Sequence, residues 1–291
     1  MHNLYTKESL GIRTIEHLSL RLSIQLQELN QIALDVESLY DSWKKLKKNG
    51  KPRDIFNPRP RLKKVQSRIH KLLQEIILPD SFHGGVKRRS NITNAKIHCG
   101  QNWIFGLDFE AFFDNISNHR VYNLFRNELD CSPNVARLLT RISTIKGKVP
   151  QGAPMSSDIA ILVCKKLGKR LEGLAKKYNI NYSHYIDDIT FSGLIIPVSF
   201  KTKVKEIIGQ NGFKLKSDKE FNCSRNKAQI VTGLSVNRKR IHLPRAIKRE
   251  WRAKKYIFKK YRAVELTEEE RRKEEQKIQG RESYLKAVYS N

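Results

Sequence analysis

Two adjacent acids, Asp187 and Asp188, stand between Asn181-Tyr182-Ser183-His184-Tyr185-Ile186 and Ile189-Thr190-Phe191-Ser192. Both flanks are rich in the β-branched and aromatic residues that favour strands. The pattern predicts two strands joined by a turn that carries both carboxylates at its tip. Adjacent aspartates also serve as plain solvated turn formers, because Asp bonds its own backbone in tight turns. The dipeptide thus fixes a local shape, and a third acid is needed to give it a chemical role.

Asp108 is the candidate. It ends the apolar run Asn102-Trp103-Ile104-Phe105-Gly106-Leu107, of buried-strand length, and precedes Phe109-Glu110-Ala111-Phe112-Phe113-Asp114, where the apolar spacing loosens toward a turn. A lone buried carboxylate is costly enough that it shifts its pKa, finds a cation or binds a metal. No Lys or Arg lies within several residues of Asp108 along the chain. Two strands delivering acids to one point suggest Mg²⁺, which takes hard oxygen ligands and is usually held by one or two carboxylates plus substrate phosphates. Paired ions of this kind serve in-line displacement at phosphorus, so nucleotidyl transfer is the reaction class indicated. A helix N-cap and an acid paired across the fold remain the other readings of Asp108.

Charge points the same way. Among 291 residues, Lys+Arg 57 against Asp+Glu 29 leaves a formal net charge of +28, a self-repulsion that a polyanionic partner would relieve. Nucleic acid is the first such partner. A membrane surface competes, but no apolar stretch approaches the roughly 20 residues of a spanning helix, and Met1 to Glu8 lacks a secretory apolar run. A cytoplasmic location without a membrane partner is expected. Cys99, Cys131, Cys164 and Cys223 are too scattered for a zinc site or a disulfide framework.

With two further segments, the acid-bearing ones form an ordered set of four along the chain: Leu107-Asp108 through Phe112-Phe113, Val149-Pro150-Gln151-Gly152-Ala153-Pro154-Met155-Ser156-Ser157, Tyr185-Ile186-Asp187-Asp188, and Gly212-Phe213-Lys214-Leu215 with Lys219. In order and spacing they resemble the palm motifs of reverse transcriptases. Asn94-Ala95-Lys96-Ile97-His98 and Val231-Thr232-Gly233 match the Asn-Ala-x-x-His and Val-Thr-Gly elements of the bacterial retron group. The resemblance covers roughly residues 20 to 290. Two departures stand out: Ile186 where the family usually has a small residue, and Ser156-Ser157-Asp158-Ile159-Ala160-Ile161 where it often has Ser-Pro-x-x-Ala-Asn. Neither touches an expected metal ligand.

The resemblance implies an α+β right-hand polymerase fold with fingers, an RNA-recognition-like palm sheet and a short helical thumb. The expected division is 1–103 for an N-terminal helical extension and fingers, 104–235 for the palm with an interleaved fingers segment, and 236–291 for the thumb. It further implies Asp108, Asp187 and Asp188 as catalytic carboxylates on Mg²⁺, with Phe109 a ligand through its backbone carbonyl. Phe113, five residues after Asp108, falls where the family places the aromatic that crowds a ribose 2′-hydroxyl, which leaves Phe112 to the core. Gln151 and Gly152 would sit near the incoming nucleotide and template, or form a simple turn. Lys219 would assist the departing pyrophosphate, and Arg53 and Arg61 would contact triphosphate or template backbone. For these three cations a solvated basic face is the competing reading.

Asn94, Ala95, His98, Val231, Thr232 and Gly233 are implied in RNA recognition, although a lone His is also commonly a satisfied core residue. The implied partners are a cognate structured noncoding RNA, the DNA copied from it, dNTP substrates and an effector protein. The implied function is RNA-directed DNA synthesis giving RNA-linked multicopy single-stranded DNA, in antiphage defence. An intron-encoded or abortive-infection polymerase and a non-catalytic RNA-binding scaffold are the alternatives.

Local signals fill in the rest. From Leu18 to Leu46 apolar positions first alternate and then space helically, which predicts mainly helix. Asn49-Gly50 marks a hairpin between lysine-rich strands. Arg61 to Ile77 reads as an amphipathic helix. Thr267-Glu268-Glu269-Glu270 reads as a capping box that starts the last helix.

Overall fold

A computed structural model describes residues 7–46, 50, 52–262 and 266–290. Two short helices come first, α1 (Ile15–Leu22) and α2 (Leu26–Leu34). Ser23 breaks them with a left-handed φ of 49°, and this break is why the apolar positions alternate there. Leu18, Leu22 and Ile24 turn inward while Leu20 is exposed. The helix expected as far as Leu46 ends earlier, because from Tyr40 the chain is strand. β1 (Tyr40–Leu46) pairs antiparallel with β2 (Pro52–Pro58), Trp43 facing Ile55. Of the expected turn, Asn49 lies outside the described residues, and Gly50 takes a φ of 75°. The next helix, α3 (Pro60–Leu73), starts on a proline whose fixed φ suits the first turn. It buries Leu62, Val65, Ile69, Leu72 and Leu73.

α4 (Asn91–Lys96) leads into β3 (Trp103–Asp108). Four helices, α5 (Asn118–Asn123), α6 (Pro133–Ser143), α7 (Ser156–Val163) and α8 (Lys165–Lys177), separate β3 from the hairpin of β4 (Asn181–Tyr185) and β5 (Asp188–Gly193). After α9 (Val198–Gln210), β6 (Phe221–Ser224) completes an antiparallel sheet of order β4-β5-β3-β6. β3 reads as continuous apolar sequence because both of its faces are covered. Phe105 packs on Phe191 within a core that runs from Leu10 to Phe213. Ile104 joins a second cluster with Ile92, Ala95, Val231, Leu234 and Val288.

That second cluster ties α4 and β3 to a small hairpin, β7 (Ile230–Val231) with β8 (Leu234–Ser235), and to two C-terminal helices, α10 (Arg245–Ile257) and α11 (Glu268–Tyr289). Thr267 and Glu270 close the expected capping box on α11, and Glu269 pairs with Lys273 one turn on. The content is α+β. Among the described residues no helix is long and apolar enough to cross a membrane.

Candidate active site

The register of the central sheet sets the acids together. Asp108 is the last residue of β3 and pairs directly with Asp188, the first of β5. Asp187 occupies the two-residue turn before it, and its carbonyl accepts from the Phe109 backbone N–H at 3.1 Å. Asp108 is only 4% exposed, whereas Asp187 and Asp188 are half-buried. Gly106 leaves room for the Phe221 ring beside the acids: a Cβ there would lie 2.0 Å from that ring, which would have to swing away.

The turn itself is held from outside. Ile186 has a φ of 57°, a left-handed conformation that a β-branched residue adopts only under constraint. His184 Nε2 bonds the Ile186 carbonyl at 2.9 Å. The segment Ser81–Gly84 runs alongside: the His184 N–H donates to the Ser81 carbonyl and the His83 N–H to the His184 carbonyl, both at 2.8 Å. Gly84 abuts the turn so closely that a Cβ would stand 2.6 Å from Ile186 Cγ1 and 2.7 Å from its backbone N. Nothing local in the sequence marks this brace except the Gly84-Gly85 pair.

Electrostatically the three acids disturb one another. Burial and the neighbouring Asp108 push the Asp187 carboxyl up. Burial, then the charges of Asp187 and Asp108, raise Asp188 to about 7. The cations that Asp108 lacks nearby in sequence arrive from far along the chain. Lys216 Nζ donates to Asp108 Oδ1, and Lys219 Nζ to Oδ2 at 2.6 Å. The bond to Asp108 in turn holds the Lys219 ammonium above its usual range. The reading of Asp108 as an acid paired across the fold therefore describes this state. Among the described residues no three His, Cys, Asp or Glu side chains form a ready metal cage. Three mutually repelling carboxylates that draw in two ammonium groups nevertheless supply the hard oxygens and negative charge that a divalent cation takes.

The other expected residues fall into two sets. Phe113 is half-buried and meets the Phe112 ring edge-on at 5.5 Å. Phe112 is core, and Phe109 stacks between it and Phe213 at 5.3 and 4.9 Å. The Gln151 carbonyl accepts from the Phe56 N–H at 2.9 Å. Gly152, at a φ of 116°, lies so close that a Cβ would be 2.8 Å from the Phe56 carbonyl. This turn is thereby pinned to β2, the strand that carries the exposed Arg53. Arg61 is not free: its guanidinium bonds Gln31 Oε1 at 2.9 Å and approaches Glu28 at 3.8 Å, both on α2.

The two family-like elements meet each other. Thr232 and Gly233 form the two-residue turn between β7 and β8, with φ of 44° and 82°, positive at both positions as a type I′ turn requires. Thr232 pays for that strain with partners: its Oγ1 donates to the Asn91 carbonyl at 3.0 Å, and its carbonyl accepts from Asn91 Nδ2 at 3.2 Å. Asn94 Nδ2 lies 3.4 Å from Thr232 Oγ1. Asp108, Asp188, Lys219, Phe221, Val231 and Thr232 line one cavity of about 270 Å³.

The residues expected at the RNA differ in exposure. Asn94, Ala95 and His98 are 0% exposed, and Val231 is buried too, so in this structure their side chains lie inside the fold. His98 bonds Ser192 Oγ at 2.7 Å and Ser183 Oγ at 2.8 Å, fastening the segment after α4 to both strands of the acid-bearing hairpin. It is a satisfied core histidine, with serine hydroxyls as its partners. Thr232, half-buried, and Gly233, exposed, remain accessible. Sequence reasoning missed Lys216, Gly84, Gly106 and Phe221; their roles come from distant contacts, and only the Gly84-Gly85 pair leaves a local signal.

Comparison with known proteins places this geometry. The family described as reverse transcriptase (RNA-dependent DNA polymerase) matches residues 45–237. The chain is 32% identical over 264 residues to Retron Se72 reverse transcriptase of Salmonella heidelberg (strain 579083-10), covering 87% of this chain and 70% of that protein. It is 27% identical over 260 residues to Retron Ec86 reverse transcriptase of Escherichia coli, covering 87% and 81%. With Retron Mx162 reverse transcriptase of Myxococcus xanthus it shares 31% over 257 residues, covering 76% of this chain and 53% of the other, so it spans about half the length of that relative. Carboxylates converging at the end of an antiparallel sheet and a family match over most of the chain lead to one conclusion: this protein belongs to the reverse transcriptases, RNA-directed DNA polymerases, and within them to the retron type.

Proposed function

We propose that the protein copies a cognate structured noncoding RNA into RNA-linked multicopy single-stranded DNA, using dNTPs and Mg²⁺, as one part of an antiphage defence unit that includes an effector protein. The observation that carries this reading is the direct pairing of Asp108 with Asp188 beside Asp187, in the wall of a cavity that Thr232 also lines. In this reading β1, β2 and the helices around them act as fingers, the four-stranded sheet as palm, and α10 with α11 as thumb. The boundaries at 103 and 235 stand as part of the proposal.

Asp108, Asp187 and Asp188 would hold magnesium, with the Phe109 carbonyl as a further ligand; when bound, the metal supplies charge neutralisation and an activated 3′-hydroxyl. The chain's own groups do the rest. Lys219, already cationic beside Asp108, faces negative charge and can meet the departing pyrophosphate. Phe113 presents a rigid ring edge to the sugar, and Gln151 with Gly152 lines the nucleotide against β2. Arg53 adds a guanidinium for phosphate; Arg61 would have to leave Gln31 to do the same. Thr232 and Gly233 would approach the transcript near the growing end, while His98, Asn94, Ala95 and Val231 hold that surface in place.

Sequencing the nucleic acid that co-purifies with the protein tests this. A discrete RNA joined to DNA is expected. RNA without DNA would favour a binding scaffold, and a spliced intron would favour an intron-encoded enzyme.

A further inference from the structure

The C-terminal helices enclose a pocket that the polymerase chemistry does not use. It has a volume of about 330 Å³ and lies between α10 and α11, with Trp251, Ile278, Leu285 and Tyr289 among its apolar walls. Four cations edge it: Lys248, Arg252, Lys255 and Arg281. Its one acid, Glu282, is already paired with Lys255. Two of the cations sit over the rings, Lys248 Nζ 5.2 Å from the centre of Tyr289 and Arg281 Cζ 5.9 Å from that of Trp251.

We infer that this pocket takes one unpaired nucleotide of RNA, its base between the apolar walls and its phosphate against Arg252 and Lys248. The argument is one of complementarity. An apolar slot alone would accept many things, but flat aromatic walls with a surplus of three positive charges match a ligand that is flat and apolar at one end and anionic at the other. The volume is at the small end of ligand pockets, which suits one nucleotide and excludes a duplex. Unpaired bases are the part of a structured RNA that proteins read by stacking. Trp251, Tyr284 and Leu285 pack on the cluster that contains Val231 and Leu234, so a base seated here is joined through packed side chains to the Thr232 turn beside the acids. The inference rests on the nucleic-acid reading above and names a site within it.

Trp251 reports on its own pocket once Trp43 and Trp103 are replaced by Phe. Titration of that protein with the adenosine ribotrinucleotide should quench Trp251 fluorescence saturably. The same trinucleotide with an abasic central sugar should bind roughly 5- to 150-fold more weakly, the range expected for one stacked base. Anisotropy of the labelled trinucleotide should show the same order of weakening for Tyr289→Ala, a smaller one for Trp251→Phe, which keeps a ring, and a salt-dependent loss for Arg252→Ala. Equal affinity for the intact and abasic ligands, or no response of Trp251, would overturn the proposal. So would displacement of the trinucleotide by a short peptide of Phe and Asp at lower concentration, which would make this a protein-docking pocket. Primer extension by the unaltered protein in the same preparation separates the two readings, since it can persist when the pocket proposal fails.

Discussion

His98→Ala is predicted to destabilise the fold strongly, and to weaken RNA binding only as a consequence. The imidazole makes two buried hydrogen bonds, 2.7 and 2.8 Å long, to serines that are themselves almost wholly buried. Each bond contributes about 1 kcal/mol net, and each serine hydroxyl left without a partner costs about 1–3 kcal/mol. Allowing for relaxation around the cavity, the loss should be about 3–5 kcal/mol, in the range reserved for broken buried networks. Burial also holds the His98 pKa down to about 3. The unfolded chain therefore takes up this proton first as pH falls through about 6.5, and the native state is penalised progressively until pH nears 3. Between pH 7.5 and 5.5 that one group removes about 1.4 kcal/mol of stability. His184, held down to about 4, adds to the same trend. Urea unfolding at the two pH values measures both effects: His98→Ala should start lower and lose about 1.4 kcal/mol less on acidification. A mutant of native stability and unchanged pH response that binds cognate RNA poorly would refute the reasoning, and return His98 to an RNA-facing role.

Two other substitutions probe the site. Gly84→Ala should push on Ile186 and the turn behind it; because small misplacements of reacting groups are costly, primer extension should fall roughly tenfold or more with only a modest drop in Tm, and an unchanged rate would remove Gly84 from the brace. Phe113→Ala should raise the ratio of kcat/KM for ribonucleotides over deoxynucleotides by roughly tenfold or more, the scale of one lost steric contact; a constant ratio would assign Phe113 to the core.

Features that depend on neighbours along the chain were legible in the sequence. The strand–turn–strand around Asp187, the buried strand ending at Asp108 and the Thr267 capping box all follow from local pattern, and so does the amphipathic α3. The charge balance likewise indicated a polyanion partner without any fold. Contacts between distant segments were not legible. Lys216 and Lys219 reach Asp108 across more than a hundred residues, and no periodicity records that. His98 could be read as RNA-facing or as core until its serine partners on β4 and β5 were known. The stretch from Leu18 to Leu26 is ambiguous for a different reason: two short helices broken at Ser23 reproduce, over five apolar positions, the alternation of a strand, and the helix expected there is present while its extension to Leu46 is not. The Val231-Thr232-Gly233 element was recognisable as a motif, but its strained I′ turn and the Asn91 bonds that hold it are tertiary facts.

The central claim is that Asp108, Asp187 and Asp188 form the metal-dependent centre of DNA synthesis. Asp187→Asn tests it most directly, because the change keeps the shape of the side chain and removes its charge. Deoxynucleotide incorporation on an annealed RNA template with Mg²⁺ should be abolished, while the thermal melt without metal stays the same or rises slightly as the repulsion among the acids is relieved. Near-normal synthesis by a well-folded Asp187→Asn protein would contradict the account and move the chemistry elsewhere.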